Sequence, residues 1–139
     1  MPTRENDMIS RIFVGCFYLW AALLGTAVAG PREDAAAAYG RGDYAEAFRL
    51  WHLLAEAGDG GAEVMLGFMY HDGEGVQKDL VRAYMWFRIA ASNLPANQQS
   101  FHDANDALDM TAKLMTPEQI AQARLFARRC QEQNYKGCD

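Results

Sequence analysis

GAEVMLGFMYHDGEGVQKDLVRAYMWFRIAASN, residues 61–93, decides the fold. Leu66, Met69 and Tyr70 recur at spacings of three and four, the stripe of one helix face, and predict a helix over 62–72. Gly73-Glu74-Gly75 breaks it. Asp79 is a good N-cap for a second helix over 80–93, because its side-chain oxygen can accept a free backbone N–H of the first turn. Ala83, Trp86, Phe87, Ala90 and Ala91 line the inner face of that second helix. Gly67, Ala83 and Ala90 have little or no side chain, so the two helices can approach closely. Tyr70, Trp86 and Phe87 then supply large apolar area to a small core. Gly73 permits the helix end, and Gly75 helps the turn that brings Val76 inward.

Working outward, the same pattern occurs upstream. Ala47-Phe48-Arg49-Leu50-Trp51 aligns with Ala83-Tyr84-Met85-Trp86-Phe87, and Leu54-Ala55 with Ala90-Ala91, at an offset of 36 residues. That period is in the range of helix-pair repeats, in which a unit that cannot bury its apolar face alone stacks on the next. The upstream copy reads as a helix over 44–57, capped by Asp43 and closed by Gly58. Before it a short helix begins at 35–39 and ends at Gly40-Arg41-Gly42, and residues 30–34 read as a polar linker. Downstream, Pro95 separates a helix over 98–115, anchored by Phe101, Leu108 and Leu114. Thr116-Pro117-Glu118-Gln119 then has a capping residue, a proline at the first helical position and a glutamine completing a capping box. A last helix over 117–133 follows. No window alternates like a strand.

Residues 12–29, IFVGCFYLWAALLGTAVA, carry no charge. Arg4 and Arg11 precede the run and Ala27-Val28-Ala29 closes it, the layout of a secretory signal peptide over 1–29 cut after Ala29. An uncleaved membrane anchor and a lipid anchor at Cys16 are the alternatives, and all three place the folded part outside the cytoplasm, in the periplasm or secreted. Any contact with a membrane would then run through an uncleaved N-terminal segment alone. Removal of the signal leaves Cys130 and Cys138, an even pair that an oxidising compartment favours as a disulfide, two unpaired thiols being the other reading. The net charge of −5 offers no electrostatic footprint for nucleic acid.

Ala62, Leu66-Gly67, Tyr70, Gly73, Gly75-Val76, Asp79, Ala83, Trp86-Phe87 and Ala90-Ala91 together resemble the consensus of the Sel-one-like repeat, a variant of the tetratricopeptide repeat. The match covers one nearly complete unit over 61–93. Residues 43–58 resemble the second helix of another unit, and 115–120 resemble the closing helix often found in bacterial members. The helix over 98–115 lacks the glycine signature and departs from the pattern. The resemblance implies an all-α fold over 35–139, a short right-handed α-solenoid of about three antiparallel helix pairs. It also implies protein–protein scaffolding, with a protein partner, no cofactor, no metal and no catalysis. In such repeats the first helix of each pair commonly lines the concave face. Leu66, Gly67, Met69 and Tyr70 are taken by the core, so Glu63, Phe68 and His71 are the candidate partner-binding positions, with packing of Phe68 against a neighbouring helix as its alternative.

Catalytic sets are hard to assemble. His52, His71 and His102 share no metal-ligand spacing with acidic partners, and there is no Gly-x-Ser-x-Gly or His-Glu-x-x-His. His71-Asp72 reads as a helix end that favours a cationic histidine more readily than as a dyad. Gly73-Glu74-Gly75 lacks the third glycine and the lysine of a phosphate loop. Arg128 and Arg129 fall in the last turn of the final helix, where cations complement the dipole, and an anion site there is the sharper alternative. Cysteine-rich members of the wider family are linked with β-lactam binding or hydrolysis. They carry a cysteine pair in each repeat, where this chain has one pair near its C-terminus.

Overall fold

The computed structural model describes residues 29–138, which form six α-helices and no strand. They are α1 (Pro31–Gly40), α2 (Tyr44–Glu56), α3 (Gly60–Asp72), α4 (Leu80–Asn93), α5 (Gln99–Ala112) and α6 (Pro117–Glu132). The apolar N-terminal run, and the export signal read from it, lie almost wholly outside the described residues. Each helix packs on the next from α1 to α5, while α6 skips its neighbour and packs on α4. The architecture is the helical-repeat array that the sequence predicts.

Aspartates start the three central helices. Asp43, Asp59 and Asp79 accept the backbone N–H groups of Glu46, Ala62 and Arg82 at 3.4, 2.9 and 3.0 Å. Each satisfies one of the donors that a first helical turn leaves unpaired. α6 starts with the capping box read from sequence: Gln119 N–H donates to Thr116 Oγ1 at 3.3 Å, and Thr116 N–H donates to Gln119 Oε1 at 2.9 Å. α1 is longer than expected. Pro31 sits in its first turn with Glu33 and Asp34 beside it, so the segment read as a linker is helical. A proline without an N–H loses nothing at a helix start, and the two carboxylates complement the dipole there.

The core is centred on α4. Tyr84, Met85, Trp86, Phe87 and Ile89 are buried almost all round that helix, as an element with packed neighbours on several sides requires. Comparison with its upstream counterpart shows why. Ala47 and Ala83 are both fully buried, but Arg49 is exposed where Met85 is buried. α2 packs on two helices, α1 and α3, whereas α4 packs on three, α3, α5 and α6. Aromatic edges join the layers: Phe48 to Tyr70 at 5.5 Å and Phe68 to Phe87 at 4.9 Å between ring centres.

Two glycines set the spacing. Gly67 is buried against the Phe87 ring, and a Cβ there would overlap it. Gly75 has φ +72°, and a Cβ would overlap the Tyr44 carbonyl group. The turn after α3 therefore needs glycine both for its left-handed backbone and for its approach to the start of α2.

α5 differs from its sequence reading. The helix ends at Ala112, so Leu114 lies in the turn to α6 and is 61% exposed. Phe101 and Leu108 are half-buried, and the residues in the interface are Ala104, Ala107 and Thr111. Small side chains let α5 approach α4 closely, and the buried Thr111 hydroxyl is satisfied by donating to the Ala107 carbonyl at 2.7 Å.

Past α6 the chain turns back through Asn134 (φ 52°) and Tyr135 (φ 64°). This left-handed pair is uncommon for residues with a Cβ and costs about 1–2 kcal/mol per residue. The reversal is held by a backbone bond from Tyr135 N–H to the Cys130 carbonyl at 2.9 Å and by the Cys130–Cys138 disulfide, whose Cα atoms are 5.0 Å apart.

Candidate functional site

The three candidate positions on α3 do not form one surface. Glu63 is fully buried, which corrects the expectation that it points away from the core. Its carboxylate accepts two bonds from Asn93 Nδ2, at 2.8 and 3.1 Å, and Asn93 Oδ1 in turn accepts the Tyr135 hydroxyl at 3.1 Å. Burial pushes the Glu63 carboxyl up to about 7; the Asn93 donors oppose that shift and the nearby Asp59 charge adds to it. Phe68 is half-buried on the edge of Phe87. His71 is half-buried at the end of α3, with Nδ1 2.6 Å from Asp72 Oδ1.

The partner of Glu63 was hidden from sequence because Asn93 lies 30 positions away at the far end of the next helix. An offset of 30 spans a whole helix pair, so only the docked array brings the two together. Asp59, beside them, is pushed up by burial. The Arg32 side chain and the Ala62 N–H outweigh that and hold its carboxyl below the usual range. The same aspartate thus caps α3 and anchors α1.

Three concave features border α4. One hollow of about 190 Å³ lies between the start of α4, the end of α6 and the tail, with Arg82, Phe126, Arg129 and Gln133 on its walls. A shallower one of about 430 Å³ runs from Tyr70 along Val76 and Lys78 to the same Arg82. A third, of about 270 Å³, carries Arg88 and Arg128. Arg129 was readable as a possible anion contact; Arg82 was not, since nothing in its local sequence places it opposite α6. Among the described residues no group of three His, Cys, Asp or Glu side chains is arranged to hold a metal ion. No helix among them is long and apolar enough to cross a membrane.

The family model for the Sel1 repeat matches residues 35–59 and 61–93. Two Sel1 repeats therefore occupy residues 35–93. The matches fall on the helix pairs α1/α2 and α3/α4, so the first unit extends into α1, where the sequence pattern alone had revealed only its second helix. Comparison with curated proteins and with solved structures returned no match. Sel1 repeats generally mediate contacts between proteins. In this Sel1-repeat chain α5 and α6 lie outside both matched units; α6 lines the first hollow, and both helices line the third.

Proposed function

We propose that this Sel1-repeat protein is an exported adaptor that binds another polypeptide and performs no catalysis. The observation that carries the reading is the pair of Sel1 units at 35–59 and 61–93, stacked into one array. Export is supported by the uncharged run over 12–29, its Ala27-Val28-Ala29 close and the Cys130–Cys138 pair.

The test has two parts. The protein is purified as its own cell processes it, and its N-terminus is sequenced. A free Gly30 in a soluble extracytoplasmic fraction supports export with cleavage, and an intact N-terminus in the membrane fraction replaces it with a tethered form. A photo-crosslinking residue is then placed at His71, which is partly open, and at exposed Arg124 as a control. One partner captured from His71, displaced by unlabelled protein and not captured from Arg124, supports the adaptor. Absence of any competed partner from correctly folded protein overturns it.

A further inference from the structure

We propose that the hollow between α4, α6 and the C-terminal tail receives a glutamate side chain of the partner polypeptide. This rests on the adaptor reading and adds the chemistry of its contact. The walls are Arg82, Phe126, Arg129, Gln133 and the Cys130–Cys138 disulfide, and no acidic side chain is among them. Its volume of about 190 Å³ is below the roughly 300 Å³ at which pockets begin to hold whole small molecules. A single side chain is the right size.

The charges point to a carboxylate. The Arg129 side chain makes no hydrogen bond or ion pair among the described residues, so its fork of N–H donors is open to a ligand. Arg82 is oriented by Asp79, with Nη1 2.7 Å from Oδ2, and that aspartate offsets its charge. Arg129 is therefore the cation that an anion would neutralise, with Gln133 as a further donor. The chain's net charge of −5 opposes an acidic ligand at long range, but beyond about 10 Å it is screened in 0.1 M salt. A contact at hydrogen-bond distance escapes that screening. Guanidinium groups bind carboxylate and phosphate alike. The Phe126 ring and the disulfide sulfurs decide between them, because they offer apolar wall to the methylenes of glutamate and nothing to a phosphate.

The tail makes one wall of the hollow, so the site exists only while the tail is docked. Besides the disulfide, the Tyr135 hydroxyl on Asn93 and the Gly137 N–H on Glu56 hold it in place.

The test is a titration followed by amide NMR, using isotope-labelled protein purified as its cell processes it. The probe is an end-blocked hexapeptide with one central glutamate in a neutral background, beside its glutamine twin. Saturable shifts at Arg82, Phe126 and Gln133 are expected with the glutamate peptide and not with its twin. Arg129→Ala, at an exposed position, should weaken binding about tenfold or more, the scale of one lost charge-assisted contact, with an unchanged melting temperature. Equal responses to the two peptides, or undiminished binding by Arg129→Ala, overturn the proposal. So does inorganic phosphate competing at the concentration of the peptide, which would make the hollow a site for small anions. Retention of a captured partner by Arg129→Ala would sink this inference and leave the adaptor standing. A native chain that shows the glutamate-dependent shifts but captures no competed partner would sink the adaptor and leave the chemistry of the hollow standing.

Discussion

A glycine inside a helix costs roughly 0.5–1 kcal/mol relative to alanine, yet Gly67 sits in the interior of α3. The Phe87 ring lies where its Cβ would be, and that contact fixes how closely α3 approaches α4. Two effects therefore compete in Gly67→Ala. Helix propensity gains at most about 1 kcal/mol, and overpacking a fully enclosed site costs about 1–3 kcal/mol. The overlap is with a ring held among α3 and α4 side chains, so packing wins. The urea midpoint should fall by the equivalent of about 1–2 kcal/mol with the slope unchanged, and Phe87→Leu in the same chain should recover part of it. A Gly67→Ala protein more stable than its parent would show that the ring moves aside freely. Trp86, fully buried beside it, is the larger anchor. Trp86→Ala should cost about 3–5 kcal/mol, read as a collapse of the thermal transition; an unchanged melting temperature would remove the residue from the core.

At the scale of elements, what could be read in advance was whatever local chemistry dictates. Thr116, Pro117 and Gln119 announce the start of α6 within four residues, and the capping box formed there. Thr116→Ala should cost about 1 kcal/mol, measurable as a shift in the urea midpoint; no shift would mean that water replaces the cap. The stripe of α3 and the inner face of α4 were equally plain, because large apolar residues at helical spacing have only one side to go. α5 defeats that logic. Its interface is made of Ala104, Ala107 and Thr111, while larger residues such as Met110 and Leu114 stay in solvent. Size predicts burial only where there is room for it, and a closely docked helix selects small side chains. The contrast is testable at Ala107, inside α5, and at Leu114, just past its end. Ala107→Leu should cost about 1–3 kcal/mol by overpacking, and Leu114→Ser should stay within about 0.5 kcal/mol, both by denaturant unfolding. A costly Leu114→Ser would restore that residue as an anchor. The candidate site was less readable for a related reason. Arg82, Arg129 and the tail meet only because α6 passes over α5 to dock on α4, and no local pattern encodes that choice.

Across the whole molecule, one polar chain ties α3, α4 and the tail together through Glu63, Asn93 and Tyr135. Its inner end is a fully buried carboxyl raised from an ordinary value of 4.5 to about 7. The folded protein therefore holds a proton on Glu63 that the unfolded chain releases. The associated stability is complete below about pH 4.5, declines as pH rises through 7, and is gone above that. The full excursion corresponds to about 3 kcal/mol, at 1.36 kcal/mol per unit. Asp59, whose carboxyl is held low, acts in the opposite sense and at more acidic pH. The comparison is between the native chain and Glu63→Gln, which shares every other titratable group. From pH 5 to 8 the native chain should lose stability relative to the glutamine variant, monotonically, with most of the change between pH 5 and 7. Protection of the Asn134 and Tyr135 amides, taken relative to their intrinsic exchange at each pH, should fall over the same range in the native chain only, as the stability held by the Glu63, Asn93 and Tyr135 chain declines. Parallel stability curves for the two proteins would show that Glu63 is ionised and fully compensated by Asn93, and the tail would then be held independently of pH.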